Sequence, residues 1–258
     1  MRYELYYWPS IQGRGEFVRL ALEAADANYI DVARESKGMP AMVRLMEHRA
    51  VEYPPFAPPF LKAGKLILAQ TANILLYLGP RLNLVPKAEP SRLWAHQLQL
   101  TIADWVAEAH DSHHPISGGL YYEDQKKEAR KRADDFTANR LPKFFDYFEK
   151  ILRRNDKNSG YLLGKKLSYV DLSLFQMIAG LRYAFPRAMK KFEPKYSRTI
   201  ELQDRVAARR GSPSILLRRA VSRLIRKASF VTIPNWTKNK QIQFKEKLHG
   251  YRTLLGQR

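Results

Sequence analysis

Residues 53–60 read YPPFAPPF and place four prolines in eight positions. Proline lacks a backbone N–H and disfavours helix in the residue before it, so this segment excludes a helix or a central strand. Regular structure must therefore be built on either side of it. On the N-terminal side, the hydrophobic spacing predicts a strand over residues 3–8, a helix from Glu16 and a second strand over residues 28–33.

On the C-terminal side, apolar residues flanking Gly64 predict a tight hairpin, and a helix begins near Gln70 and stops at Gly79 and Pro80. Beyond Pro90 the pattern changes to long helices. We expect them near residues 91–114, 124–154, 169–185 and 196–209, and a further helix at 40–49 before the proline segment. The chain thus predicts an α/β unit of about 80 residues followed by an all-α domain.

One helix start is marked with particular completeness. Ser168 is followed three residues later by Asp171, the spacing of a capping box in which each side chain meets the other residue's backbone amide. Leu167 and Leu172 occupy the hydrophobic-staple positions. The sequence therefore predicts that a helix begins here.

The formal charge of +20 is unevenly distributed. Residues 210–258 carry 12 Lys and Arg against one acid, whereas residues 1–209 carry 33 against 24. A basic tail thus follows a moderately basic globule. The chain has no cysteine, which excludes disulfides and cysteine nucleophiles, and no long apolar run, so we expect a soluble, unexported protein.

Three stretches carry a family resemblance: LYYWPSIQGRGEFVRLALE, PPFLKAGKLILAQTANILLYLG and YLLGKKLSYVDLSLF. Their order and spacing resemble the glutathione transferases, in particular bacterial, tyrosine-type, cytosolic members. The resemblance implies a thioredoxin-like domain over residues 1–84 and a helical domain over 85–209. It also implies a cytoplasmic homodimer that uses glutathione as co-substrate, needs no other cofactor and conjugates the thiol to a small electrophile.

Such a reaction needs a thiolate at neutral pH. Lowering a thiol pKa by about two units takes roughly 2.7 kcal/mol, and one hydroxyl donor to a charged acceptor supplies about 1.5–3 kcal/mol. By resemblance that donor is Tyr7, at the end of the first strand. Strand alternation allows only one of Tyr6 and Tyr7 to face the ligand, so Tyr6 is an alternative, and Ser10 would be the serine-type one.

The resemblance also assigns residues that bind glutathione. Gln70 and Thr71 open the third helix and would bind the γ-glutamyl carboxylate at its N-terminus. Pro59 corresponds to the family's cis-proline. The residue before it normally pairs through its backbone with the cysteinyl part, but Pro58 has no N–H, so we expect weaker binding. Arg14 follows a loop one residue longer than in relatives and either supports the thiolate or is solvated.

Asp104 resembles an aspartate that reaches across the dimer to the ligand's amino group. The glycyl carboxylate would meet a cation, and Lys37, Arg44 and Lys62 are equal candidates. A separate cluster comprises His110, Asp111, His113 and His114 on one helical surface. It would bind a metal only with further ligands, and we expect a polar lining of the electrophile pocket and no metal site.

The tail over residues 210–258 departs from the family. Residues 227–238 can be encoded by codons that read GIFRHYPELDK in a shifted frame, which is how relatives end near their C-terminus. We therefore expect a frameshift near codons 209–213, in the gene or in its sequencing. The rival interpretation is a basic amphipathic helix with Leu217, Val221 and Leu224 on its apolar face, suited to an acidic membrane or a partner.

Three functions follow from these observations. The first is a tyrosine-type glutathione transferase, acting without nucleic-acid or membrane partners. The second is a non-catalytic relative that binds apolar ligands or a partner, with catalysis eroded at Pro58 and in the tail. The third is a nucleic-acid or membrane binder that depends on residues 210–258 and predicts steep salt dependence.

Overall fold

The computed structural model describes residues 1–49, 51–155 and 160–209. Within these ranges four strands form one sheet in the order β2-β1-β3-β4. They are β1 (Tyr3–Tyr6), β2 (Tyr29–Asp31), β3 (Phe60–Ala63) and β4 (Leu66–Ala69). β1 pairs in parallel with β2 and antiparallel with β3, and β3 pairs antiparallel with β4. The strands flank the proline segment, as the sequence predicts.

Three helices cover the sheet: α1 (Gly13–Ala24), α2 (Gly38–Glu47) and α3 (Thr71–Arg81). Leu5 packs on one face with Val18 of α1 and Ile74 of α3. On the opposite face Tyr6 packs with Met42 of α2. Successive residues of β1 thus point to opposite faces. The β-α-β, α, β-hairpin, α order confirms the predicted thioredoxin-like N-terminal unit.

The second part of the described chain is helical. It comprises α4 (Glu89–Asp111), α5 (Lys126–Asp135), α6 (Leu141–Arg154), α7 (Tyr169–Ala184), α8 (Pro186–Phe192) and α9 (Ser197–Ala207). Trp105 of α4 is fully buried and lies among Phe144, Phe145 and Phe148 of α6, with ring centroids 5.0 to 5.9 Å apart. This aromatic cluster joins α4 to α6 in the core of the predicted all-α domain. The predicted boundary at residues 84 and 85 falls between α3 and α4.

Two helical predictions differ from the structure. The expected helix over residues 124–154 is divided, because Phe136–Arg140 forms a π-helical turn just before Pro142, whose ring and missing N–H disrupt the regular bonding pattern. The segment Pro186–Phe192 forms α8, which the sequence did not predict as a separate helix. Here Pro186 begins a new helix directly after α7 ends.

The capping box is confirmed. The Ser168 amide donates to Asp171 Oδ2 at 2.7 Å, and the Asp171 amide donates to Ser168 Oγ at 3.4 Å. Asp171 Oδ1 also accepts from the Leu162 amide at 2.7 Å, which ties the preceding loop to α7. The start of α7 in turn contacts the N-terminal unit, since the Tyr169 amide donates to the Leu84 carbonyl at 2.9 Å. The described helices include none long and apolar enough to cross a membrane.

Candidate active site

Tyr7 lies directly after β1 and is 5% exposed. Its hydroxyl oxygen accepts a hydrogen bond from the backbone amide of Arg14 at 2.9 Å. Arg14 is the second residue of α1, so the phenol meets the N-terminus of a helix, where amides lack intrahelical partners. The phenolic proton is not used in this bond and remains available to an acceptor.

Opposing effects act on the Tyr7 hydroxyl. Burial raises the pKa of Tyr7 and dominates, while the Arg14 amide and the charges of Arg14 and Arg19 lower that pKa. The net direction is upward. Tyr7 therefore stays protonated at neutral pH and is a hydrogen-bond donor rather than a base.

The two alternative hydroxyls are placed differently. Tyr6 donates to Glu4 Oε2 at 2.6 Å and stacks on Phe60 with ring centroids 4.6 Å apart, on the face covered by α2. Burial and the Glu4 carboxylate both raise the pKa of Tyr6. Ser10 is exposed in the loop before α1. Of the three candidates, Tyr7 is the one whose hydroxyl is hydrogen-bonded to the start of α1 in the described part of the chain.

Thr71 also contacts the start of α1. Thr71 is the first residue of α3, and its Oγ1 donates to the Arg14 carbonyl at 3.2 Å. The backbone of Arg14 thus connects the Tyr7 hydroxyl to the start of α3, while the Arg14 side chain is exposed. Gln70, just before Thr71, is exposed and has φ of +67°, a strained backbone of the kind that concentrates at functional sites.

The proline pair lies at the entry to β3. The peptide bond between Pro58 and Pro59 is cis, as the resemblance implies. Pro59 is buried and Pro58 is half-buried. Since Pro58 carries no N–H, only its carbonyl can bond to a ligand's backbone.

The remaining candidates are not joined to this group by a described contact. Asp104 is exposed on α4. Lys62 is paired with Glu4 at 3.0 Å, whereas Lys37 and Arg44 are exposed beside and on α2. Lys62 therefore already has an acidic partner, and the described contacts do not decide among the three cations.

The histidine cluster lies at the end of α4. His110 contacts Asp111 at 3.1 Å and stacks on His114 at 5.1 Å between ring centroids. Burial lowers the pKa of His113 and of His114, so both favour the neutral imidazole. In the part of the chain that the structure describes, no set of three or more His, Asp or Glu side chains is arranged to hold a metal ion.

A buried ionic group beside Tyr7 was not predicted from the sequence. Arg19 bonds Asp31 Oδ2 at 2.6 Å and Glu16 Oε2 at 3.0 Å, and its guanidinium carbon lies 5.7 Å from the centre of the Tyr7 ring. Glu16 and Arg19 are both nearly inaccessible. The sequence did contain a signal for this group: Glu16 and Arg19 are spaced i, i+3 within the apolar pattern of α1. Since buried charges are normally paired, that spacing could have predicted a buried ion pair.

Comparisons with known proteins find the same family that the sequence resembles. The sequence profile of the family described as "Glutathione S-transferase, C-terminal domain" matches residues 110–211. The chain is 27% identical over 194 residues to a glutathione S-transferase of Plasmodium falciparum, covering 73% of this chain and 84% of that protein. The chain is thus similar to glutathione S-transferases, both to a whole member of that family and, in residues 110–211, to its C-terminal domain.

Solved glutathione S-transferase structures share the fold. A Pi-class enzyme of Onchocerca volvulus superposes with a TM-score of 0.65 at 22% identity, covering 93% of this chain and 99% of that one. A transferase of the hookworm Necator americanus, described as monomeric, gives 0.63 at 18% identity, covering 88% and 97%. These relatives are eukaryotic and lend no support to a bacterial origin. The predicted frameshifted tail and its rival amphipathic helix, residues 210–258, lie outside the described residues.

Proposed function

We propose that this glutathione S-transferase binds reduced glutathione and that Tyr7 donates its phenolic proton in a hydrogen bond to the thiolate. One observation supports this most directly: a buried, protonated tyrosine whose hydroxyl oxygen is fixed by the Arg14 amide at the start of α1. That amide orients the hydroxyl, so the free proton is directed to an external acceptor. The α1 N-terminus adds a favourable field for a negative sulfur.

In the reaction the thiol loses its proton to solvent, the sulfur attacks an electrophilic carbon, and a C–S bond forms as the leaving group departs. Tyr7 contributes by stabilising the thiolate relative to the thiol. A donor to a charged acceptor is worth about 1.5–3 kcal/mol, which corresponds to roughly one to two pKa units. The exposed guanidinium of Arg14, at the same helix terminus, would add a smaller electrostatic term.

The start of α3 would hold the γ-glutamyl carboxylate. Gln70 and Thr71 flank the free amides of that helix, and the Thr71 bond to the Arg14 carbonyl keeps this anion site next to Tyr7. The Pro58 carbonyl would accept from the cysteinyl amide, while Pro59 shapes the wall. Lys37, Arg44 or Lys62 would meet the glycyl carboxylate.

We also propose a homodimer. Leu93, Leu100 and Asp104 lie along one exposed face of α4, with the two leucines 61% and 47% exposed. Phe56 and Tyr53, in the proline segment, are 95% and 70% exposed. Apolar side chains displayed in this way favour burial by a second copy, which would bring Asp104 into an interface. The protein would be cytoplasmic, without a cofactor and without nucleic-acid or membrane partners.

A non-catalytic role is the second candidate, and Pro58 favours it. Losing one backbone hydrogen bond to the ligand weakens binding by about 0.5–1.5 kcal/mol. This falls short of abolishing a binding site that has other contacts, so the enzyme remains the better interpretation. Retention on immobilised glutathione is the first test, because failure to bind excludes the enzyme.

A frameshift in residues 210–258 remains part of the proposal. The family match ends at residue 211, two residues after the predicted end of the helical domain. Resequencing the coding DNA and weighing the intact protein decide the matter. An uninterrupted frame together with the mass of the printed sequence would exclude a sequencing error.

The decisive assay for the function is conjugation. Purified protein and reduced glutathione are mixed with a chlorodinitrobenzene, and the thioether product is followed by absorbance. We expect saturable kinetics in glutathione and rates well above the uncatalysed reaction. A rate equal to that of buffer, for protein retained on immobilised glutathione, would support the non-catalytic candidate instead.

A further inference from the structure

The Tyr7 ring lies directly against the backbone of α1 at two glycines. A Cβ atom added to Gly15 would overlap Cγ and Cδ1 of Tyr7 and lie 2.8 Å from its Cβ. A Cβ atom added to Gly13 would overlap the Tyr7 hydroxyl and lie 3.0 Å from Cζ. The ring thus occupies the volume that side chains at these positions would fill.

The ring has little room to move aside. On another side it faces Arg19, which is nearly inaccessible and fixed by ion pairs with Glu16 and Asp31. Interiors are close-packed, so a methyl group between the helix and the ring must displace one of them. Because the hydroxyl oxygen accepts its bond from the Arg14 amide, displacement of the ring breaks or lengthens that bond.

We propose that Gly15 is a positioning residue for thiol activation, because its missing side chain admits the Tyr7 ring to the start of α1. The inference rests on the proposed function and adds a residue that the sequence had not marked for catalysis. The loop before α1 contributes as well, because it reverses the direction of the chain and so places Gly13 and Gly15 against Tyr7. Gly15 acts only through Tyr7 and touches no substrate.

Gly15 is a cleaner probe than Gly13. Gly13 has φ of +41°, so any side chain there also strains the backbone, whereas Gly15 lies within α1 without a positive φ. Alanine is a better helix former than glycine, so Gly15→Ala favours the helix locally while it clashes with the ring. A loss of activity would therefore not reflect a weakened helix.

The test compares Gly15→Ala with Gly118→Ala, since a Cβ at Gly118 meets no atom within 4 Å. We expect Gly15→Ala to lower kcat by about tenfold to a hundredfold, the usual cost of misplacing a reacting group by about 1 Å. The apparent pKa of the bound thiol, followed by thiolate absorbance, should rise. The KM for glutathione should change much less than kcat because the side chains of Thr71 and Gln70 are untouched. Gly118→Ala should match the wild type.

A double-mutant cycle then links the effect to the hydroxyl. In a Tyr7→Phe background, Gly15→Ala should have little further effect on kcat or on the thiol pKa. Wild-type activity in Gly15→Ala, or a full additional loss in the Tyr7→Phe background, would overturn the inference. If the wild type does not conjugate, or Tyr7→Phe leaves the thiol pKa unchanged, the proposed function fails instead.

Thermal unfolding supplies a second readout if Gly15→Ala destabilises the chain. Removing the ring with Tyr7→Ala also removes the clash, so Gly15→Ala should cost less stability in that background than in the wild type. Equal losses in the two backgrounds would show that Gly15 does not contact Tyr7 in the way described, and would overturn the inference.

Discussion

The hydroxyl oxygen of Tyr7 accepts a hydrogen bond from the Arg14 amide at 2.9 Å. This bond joins the end of β1 to the first turn of α1 across the intervening loop. Because the Arg14 carbonyl also accepts from Thr71 Oγ1, one residue's backbone connects the Tyr7 hydroxyl to the proposed carboxylate site at α3. The two halves of the proposed glutathione site are thus mechanically coupled.

This coupling predicts the effect of changes at Thr71. Thr71→Val keeps the shape but loses the hydroxyl, so the start of α3 loses its bond to the Arg14 carbonyl. We expect the KM for glutathione to rise by about threefold to tenfold, the equivalent of one hydrogen bond. Thr71→Ser retains the hydroxyl and should stay near the wild type. Equal KM values for the two variants would exclude a role for this hydroxyl.

Replacing Pro58 should improve glutathione binding. Pro58→Ala restores a backbone N–H where the resemblance expects a donor to the cysteinyl carbonyl. One such bond is worth about 0.5–1.5 kcal/mol, so KM should fall by about twofold to tenfold. Pro54→Ala, an exposed proline of the same segment, is the control and should change nothing. An unchanged or higher KM for Pro58→Ala would show that this amide position does not contact glutathione.

The proposed dimer predicts the behaviour of Phe56. A phenylalanine that is 95% exposed in the monomer has no packing to lose there, so Phe56→Ser should leave monomer stability unchanged. If Phe56 is buried by a second copy, the same change should shift the mass measured by light scattering from dimer toward monomer. Leu66→Ser, at an exposed position of β4, is the matched control. A wild type that is monomeric at all concentrations would contradict the dimer.

Asp171 predicts a pH dependence of stability. Burial raises the pKa of this carboxyl from the ordinary 3.8 to about 6, despite its hydrogen bonds to Ser168 and Leu162. The folded state therefore binds the proton more tightly than the unfolded chain. The resulting stabilisation is full below pH about 3.8 and is lost as the pH rises through about 6.

The measurement is the free energy of unfolding in urea from pH 4.5 to 7, for the wild type and for Asp171→Asn. The variant cannot titrate at this position, so the difference between the two isolates the carboxyl. We expect the wild type to lose about 2 kcal/mol more than the variant across this range. A difference that does not change with pH would show that Asp171 is already ionised at the lower limit.

Local signals predicted much of the fold. The proline-rich segment indicated that the strands of the sheet lie before and after it in the chain. The spacing of Ser168 and Asp171 predicted the first residue of α7 correctly. The π-helical turn before Pro142 was missed because a periodic apolar pattern does not register one extra residue in a turn. The separation of α8 from α7 depended on Pro186, which permits a new helix as readily as it ends one.

The sequence predicted the parts of the candidate site that lie in local motifs and missed the parts that depend on tertiary contacts. Tyr7, Thr71 and Pro59 follow from the resemblance, whose motifs are local in sequence. The role of Arg14 depends on its backbone, which no side-chain pattern reveals. The contacts of Tyr7 with Gly15 and Arg19 are tertiary and become visible only when the ring is placed against α1.

Thiol activation as proposed depends on the Tyr7 hydroxyl, which would stabilise the thiolate of bound glutathione. The most direct measurement is a pH titration of thiolate absorbance in the glutathione complex of the wild type, of Tyr7→Phe and of Tyr6→Phe. We expect a wild-type thiol pKa about two units below the free value of about 8.5, a return most of the way to that value in Tyr7→Phe, and no change in Tyr6→Phe. A Tyr7→Phe complex that titrates like the wild type would contradict this role of Tyr7.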